Sequence, residues 1–160
     1  MDSRIAIIPA RGGSKRLPRK NILILCGKPL LVWSIEAAFE SGLFEKVCVS
    51  TEDDEIASIA SDSGAIVMNR PASLATDQST VAQTCLYHLR ELQREGFIYD
   101  FLYCLYPTSP LRNATDLSAI AKVFRDNPDA QSVIAATDYS HYPFQALVCE
   151  ENCKVTPFCF

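Results

Sequence analysis

The chain is predicted to be an α/β protein built on a doubly wound, mostly parallel sheet, and three observations carry that prediction. Short apolar runs alternate with amphipathic stretches of about ten residues, the pattern of repeated strand–helix–strand units. Asp100-Phe-Leu-Tyr-Cys-Leu-Tyr106 is apolar almost without a break, as a central strand covered on both faces must be. Loops rich in Gly, Pro and charge follow the apolar runs, where such folds place their ligands. At 160 residues the chain can bury one sizeable core, so residues 1–160 are read as a single domain.

Each element has its own local reason. Arg4-Ile-Ala-Ile-Ile-Pro9 is a buried first strand. Gly27-Lys28-Pro29 is a turn, with Pro29 suited to a first helical position. Leu30, Leu31, Ile35, Ala38 and Phe39 then recur at helical spacing, and Gly42 suits the helix end. Lys46 to Ser50 is the second strand. Thr51-Glu-Asp-Asp54 has the form of a capping box with acids in the first turn, opening a helix that runs to about Ser63. Ala65–Met68 is the third strand, followed by the loop Asn69–Asp77 and a helix over Ser79–Glu95. The central strand Asp100–Tyr106 leads through Pro107-Thr-Ser-Pro-Leu-Arg112 into a helix over Ala114–Arg125. Gln131–Thr137 reads as a further strand, and Gln145–Cys149 with Lys154–Phe160 as a hairpin across Glu150-Glu-Asn152. The strand-like ending without a polar tail suggests a chain whose C-terminal part is missing.

Composition narrows the function. Apolar residues make up 48% and charged residues 21%, and the net charge is −4. That acidic balance argues against a general nucleic-acid binder, which needs widespread Lys and Arg. No apolar run approaches the roughly 20 residues of a membrane span, and no signal peptide is evident, so the expected location is the cytoplasm. The seven cysteines contain no C-x-x-C pair and read as core thiols in a reduced compartment. His88 and His141 lack ligand-spaced neighbours, so no metal role is expected for them.

Against this acidic background, Arg11-Gly-Gly-Ser-Lys-Arg-Leu-Pro-Arg-Lys20 carries five cations and no acid, directly after the first strand. Glycines let a backbone approach phosphate oxygens, free N–H groups point inward, and Lys and Arg supply opposing charge. The loop, with Ala10, Arg11, Gly12, Gly13, Ser14, Lys15 and Lys20, is therefore a candidate phosphate site. It is neither a P-loop nor G-x-G-x-x-G, and a basic surface loop is the competing reading. Asp53 and Asp54 are better explained as helix-capping acids than as a metal motif. No D-x-D follows a predicted strand, which weakens a metal-dependent glycosyltransferase reading.

Ile7-Ile-Pro-Ala-Arg-Gly-Gly-Ser-Lys-Arg-Leu-Pro-Arg-Lys-Asn21 resembles the signature of the cytidylyltransferases that activate sialic acid and related nine-carbon sugar acids. Val49-Ser-Thr51, Arg70-Pro71 with Leu74-Ala-Thr-Asp77, and Pro107-Thr-Ser-Pro-Leu-Arg112 resemble the same family in the same order. The resemblance implies a Rossmann-like nucleotidyltransferase fold that uses CTP and Mg²⁺. The reaction it implies joins CMP to the anomeric hydroxyl of a nonulosonic acid, with loss of pyrophosphate. By that resemblance Arg11 and Lys20 bind the triphosphate and serve catalysis, Asn21 belongs to the nucleotide site, and Arg70 lies near the cytidine. Thr108 and Ser109 face the sugar acid. Tyr106 stands where sialic acid enzymes resemble Gln, and with Tyr142-Pro-Phe-Gln145 it looks more like the pseudaminic acid branch. Tyr106 either contacts the sugar or packs at the strand end. The family's metal-binding aspartates and much of its dimer interface belong to a later segment, so no metal ligand is assigned in this chain and a homodimer is expected only at full length. A Kdo cytidylyltransferase and a non-catalytic nucleotide-binding module are the alternatives.

Overall fold

The computed structural model describes residues 2–15, 17–136, 147–149 and 155–157. In chain order these form β1 (Arg4–Pro9), a 3-10 turn (Lys20–Ile22), β2 (Ile24–Leu25), β3 (Lys28–Pro29), α1 (Leu30–Ser41), β4 (Lys46–Thr51) and α2 (Asp54–Asp62). There follow β5 (Ile66–Asn69), a second 3-10 turn (Ala72–Leu74), α3 (Val81–Arg94), β6 (Phe101–Cys104), α4 (Ala114–Asp126), β7 (Leu147–Cys149) and β8 (Val155–Pro157).

The main sheet has the order β5–β4–β1–β6 with every pairing parallel, so the expected doubly wound α/β architecture is the one observed. Register places Ile7 between Cys48 and Cys104, and Pro9 beside Ser50. Alternation along β1 divides the core in two. Ala6 and Ile8 pack with Leu31 and Ile35 of α1, Ile56 of α2 and Leu117 of α4. Ile5 and Ile7 point to the other face, against Cys85 and Leu92 of α3. All four β1 side chains are fully buried, and each Ile contributes about 1.5–3 kcal/mol by leaving water. The chain adds β4 and β5 on one side of β1 and then β6 on the other, so the order of strand addition reverses at β1. The loops after these three strands therefore meet on one edge, where open parallel sheets bind ligands.

Several local expectations shift. β4 continues to Thr51, whose partner is Asn69. Thr51 is thus still in the sheet and cannot cap α2; the N-cap is Asp53, whose Oδ1 accepts the Ile56 N–H at 3.0 Å. Pro29 precedes α1 as its N-cap rather than entering it, while Gly42 closes that helix with φ +62° as expected. The hairpin of β2 and β3 was not expected; Cys26 and Gly27 turn it with φ of +50° and +85°, the double positive φ of a type I′ turn.

Residues 131–136 are not a strand. Val133 and Ala135 border a cavity beside Leu102 and Cys104 of β6, but among the described residues the only ladder partner of β6 is β1. Ile134 is 84% exposed, so among the described residues nothing covers the run on that face to hold it as a strand. The expected C-terminal hairpin is present over Leu147–Cys149 and Val155–Pro157, which pair antiparallel. Its outer residues, Tyr142–Gln145 and Thr137 lie outside the described residues. Cys26, Cys48, Cys85 and Cys104 are free thiols, in keeping with the core-thiol reading for the buried Cys48 and Cys85; burial pushes the Cys48 thiol up to about 11. The Cys149 side chain, Cys153 and Cys159 lie outside the described residues.

Candidate functional site

The ends of β1 and β6 and the loop after β5 enclose a cavity of about 340 Å³. Of the candidate residues, Arg11, Ser14, Lys15, Lys20, Asn21, Arg70, Tyr106 and Thr108 line it. The remaining candidates stand elsewhere. Ala10 is fully buried and gives its N–H to the Ser50 carbonyl at 2.9 Å, which pins the root of the basic loop to β4. Gly12 is turned toward Glu52 and Asp53, Gly13 has open space where a side chain would grow, and Ser109 borders the separate cavity beside β6.

The loop's shape follows from what it bonds to. Asn21, at the 3-10 turn, is buried and donates from Nδ2 to the Arg11 carbonyl at 2.9 Å, bracing the loop across its base. Arg19 adopts a left-handed backbone, φ +55°, and its guanidinium pairs with both Asp53 and Glu55. Gly12 donates its N–H to Glu52 Oε1 at 2.8 Å. A side chain at Gly12 would collide with Asp53, so only glycine allows this close approach.

Acids also occupy the cations. Arg11 donates from Nη1 to the Thr76 carbonyl at 2.9 Å and pairs through Nη2 with Asp77 Oδ1 at 2.9 Å. Lys15 pairs with the other oxygen of the same carboxylate. Lys15, and after it Arg11, hold the Asp77 carboxyl below its ordinary range. Asp53 is likewise held down, first by Arg19 and then by the Ile56 N–H that it caps. Lys20 lines the cavity with no carboxylate within salt-bridge distance among the described residues.

Arg70 is held differently. It is 5% exposed, and among the described residues no carboxylate pairs with it. Its Nε donates to Ser50 Oγ at 3.1 Å and its Nη2 to the Ser50 carbonyl at 2.9 Å. Ser50 Oγ lies 2.7 Å from Nε2 of His88, a buried residue of α3. Burial, then the charge of Arg70, pushes His88 down to about 4, so the imidazole is neutral near pH 7.

On the β6 side, Arg112 donates from Nη2 to Ser34 Oγ at 2.9 Å and, at 3.4 Å, to the Tyr106 carbonyl. Ser34 Oγ donates to the same carbonyl at 3.2 Å. These bonds fix the end of β6, from which Tyr106 reaches the cavity half exposed.

Sequence reasoning missed Thr76, Asp77, Glu52, Ser50 and His88 as parts of this site. Asp77 had a signal, since it closes Leu74-Ala-Thr-Asp77, one of the stretches that carry the family resemblance. His88 had none beyond its type, because only the packing of α3 on β4 brings it to Ser50.

Comparison with known proteins agrees with the resemblance read from the motifs. A relative from Campylobacter jejuni (strain 81-176), pseudaminic acid cytidylyltransferase, is 40% identical over 156 residues, covering 96% of this chain and 66% of its own length. N-acylneuraminate cytidylyltransferase of Escherichia coli O18:K1:H7 is also 40% identical, over 133 residues, covering 83% of this chain and 31% of its own. The chain thus spans slightly less than two thirds of the first relative and under one third of the second. Among solved structures, CMP:2-keto-3-deoxy-manno-octonic acid synthetase complexed with CTP superposes with a TM-score of 0.64 at 23% identity, covering 79% of this chain and 48% of that one, a likeness of fold. The family model described as cytidylyltransferase matches residues 5–153, which takes in every loop that borders the cavity, and the chain therefore belongs to the cytidylyltransferase family.

Proposed function

We propose that this chain forms the nucleotide-binding part of an enzyme that transfers CMP from CTP to the anomeric hydroxyl of a nine-carbon nonulosonic acid, releasing pyrophosphate. Pseudaminic acid is favoured over sialic and legionaminic acids. The observation that carries the reading is the gathering of Arg11, Lys15, Lys20 and Arg70 around one cavity at the carboxyl ends of the parallel strands. Tyr106 and Thr108 line the same cavity, and this reading assigns them to the acceptor sugar.

Nucleotidyl transfer is an in-line displacement at the α-phosphorus, so positioning and charge stabilisation do most of the catalysis. Arg11 offers a planar fork to phosphate oxygens, and Lys20 a compact charge without a carboxylate partner among the described residues. Together they would stabilise negative charge developing on the departing pyrophosphate. Ser14 and Lys15 extend that contact, and Asn21 keeps the loop in register by holding the Arg11 carbonyl. Arg70, rigid and buried, suits the recognition of the base and ribose. Ala10, Gly12 and Gly13 act by shaping the loop, and Ser109 by supporting the sugar side.

The resemblance implies Mg²⁺ accompanying CTP. Among the described residues no three His, Cys, Asp or Glu side chains gather to hold a metal, and Asp77, Asp53 and Glu55 are engaged by Arg and Lys. These residues do not fit a metal cage. Among the described residues no helix is long and apolar enough to cross a membrane. A cytoplasmic location and a homodimer at full length belong to the same proposal.

Calorimetric titration of CTP against ATP, GTP and UTP with Mg²⁺ present tests the nucleotide half. Selective CTP binding that Arg11→Ala abolishes is the expected result, and indifference to the base would refute the reading. Pyrophosphate release with pseudaminic, sialic and Kdo acids then separates the acceptors.

A further inference from the structure

We propose that His88 is a positioning residue for Arg70, acting through the hydroxyl of Ser50 to fix the guanidinium edge that faces the nucleotide cavity. The inference rests on the nucleotide reading of that cavity and adds a residue from outside it.

Three buried polar groups lie in line here. His88 is 2% exposed, Ser50 is fully buried and Arg70 is 5% exposed, so the hydrogen bonds that join them are shielded from water. The proton count sets the direction of the chain. Arg70 Nε is only a donor, so the Ser50 oxygen accepts from it at 3.1 Å. The Ser50 hydroxyl proton must then be placed, and among the described residues the one side-chain acceptor within hydrogen-bond distance is His88 Nε2 at 2.7 Å. His88 Nε2 accepts, and its proton resides on Nδ1. A protonated His88 would reverse that bond and set a second cation beside Arg70, which the site's burial and the charge of Arg70 both oppose.

The consequence is directional. A serine hydroxyl that rotated freely would offer its lone pair to Arg70 only part of the time. With its proton committed to His88, the lone pair is aimed at Nε. The Ser50 carbonyl takes Nη2 at 2.9 Å, so two bonds to one residue define the guanidinium plane. Nη1 makes no protein hydrogen bond among the described residues and remains for a ligand in the cavity that Arg70 lines. A structural histidine could fill the same volume. What sets this one apart is that its acceptor nitrogen is the origin of a relay ending on a site cation.

The test uses His88→Leu, which removes the acceptor, His88→Gln, whose amide oxygen can replace it, Ser50→Ala, which removes the relay, and the His88→Leu/Ser50→Ala double variant. The expected pattern is a CTP Kd weakened about tenfold in His88→Leu and in Ser50→Ala, from the loss of one buried hydrogen bond to a charged group. The double variant should be no weaker than either single one, because both cut one chain. His88→Gln should recover to within about threefold. In a turnover assay the loss should fall on the KM for CTP, with kcat unchanged. Equal losses in His88→Leu and His88→Gln, additive losses in the double variant, or a loss confined to kcat would overturn the proposal. The ¹⁵N-resolved Arg70 Nε–H proton resonance gives a readout that needs no nucleotide. It should be slowly exchanging in the parent protein and in His88→Gln, and lost to exchange in Ser50→Ala and His88→Leu. A protected Nε–H in folded His88→Leu overturns the relay even if CTP proves not to be the ligand, whereas loss of protection beside absent CTP binding refutes only the nucleotide reading.

Discussion

Replacing Gly12 or its neighbour Gly13 by alanine should give unequal results, and the structure sets the size of the difference. A Cβ built at Gly12 lies 2.5 Å from Asp53 Oδ2, 3.0 Å from its Cβ and 3.1 Å from its Cγ. The carboxylate cannot swing clear freely, because Oδ1 caps α2 through the Ile56 N–H and the whole group is paired with Arg19. Making room therefore uncaps the helix, at a cost of about 1 kcal/mol, with a possible range of roughly 0.5–2. The alanine also restricts the unfolded chain, which returns about 0.4–1 kcal/mol. The partly exposed ion pair contributes little to either side. Gly13 has no atom within 4 Å of a new Cβ, and neither glycine has a positive φ, so Gly13→Ala keeps only the favourable part. The two variants should thus differ by about 1 kcal/mol or somewhat more, or roughly 2–4 °C in Tm per kcal/mol for a chain of this size. Differential scanning calorimetry of both proteins, together with CTP titration, measures the difference. Gly12→Ala should also weaken CTP binding, since Arg19 and the loop move with Asp53. Combining it with Asp53→Ala should remove most of the penalty, because the nearest obstructing atom is then gone. If Gly12→Ala is as stable as Gly13→Ala, or its cost persists undiminished in the Asp53→Ala background, the account of the contact is wrong.

Asp77→Asn frees Arg11 and Lys15 while keeping the side-chain volume, so CTP should bind roughly threefold more tightly; calorimetry showing weaker binding would instead make Asp77 part of the ligand's own contacts. Stability should rise with pH between about 4 and 6.5, because unfolded His88 takes up a proton there that the folded, buried imidazole refuses. The lost stability at the acid end is on the order of 2 kcal/mol after allowance for screening, and urea unfolding of His88→Gln should show a flatter profile across that window. Cys26, exposed with φ +50° in the β2–β3 turn, should be replaceable by Asn with a gain of about 0.5–1 kcal/mol, visible as a Tm higher by a few degrees.

What was legible in the sequence was what repeats locally. The burial of Ile5 to Ile8 and the helical spacing of Leu31 and Ile35 follow from periodicity, and the structure places them as expected; of the continuous strand expected over Asp100–Tyr106, Phe101–Cys104 form it. Alternating elements do not specify which strands are neighbours; that β1 sits between β4 and β6 came only with the coordinates. The two-residue strands β2 and β3 are too short to carry any pattern. The Thr51 cap was misplaced because a sheet ladder to Asn69 outranked a local side-chain preference. At the site, the cations were legible because they cluster in ten residues. Their acid partners were not, because the Arg11–Asp77 contact closes over 66 residues of chain and Glu52 looked like a helix-capping acid.

The pairing of the loop's cations with Asp77, Asp53 and Glu55 has a kinetic meaning. An anion approaching this chain, whose net charge is −4, meets a mouth whose positive charge is largely spoken for. Little long-range steering remains, so capture should respond only weakly to ionic strength. Entry then requires exchange of partners, with phosphate oxygens taking the places of carboxylate oxygens one by one. A long polyanion can complete that exchange, while inorganic phosphate or a monophosphate gains too few contacts to displace Asp77. On the nucleotide reading proposed above, the carboxylates that face the loop from α2 and from the segment after β5 would set a minimum phosphate count for whatever is admitted.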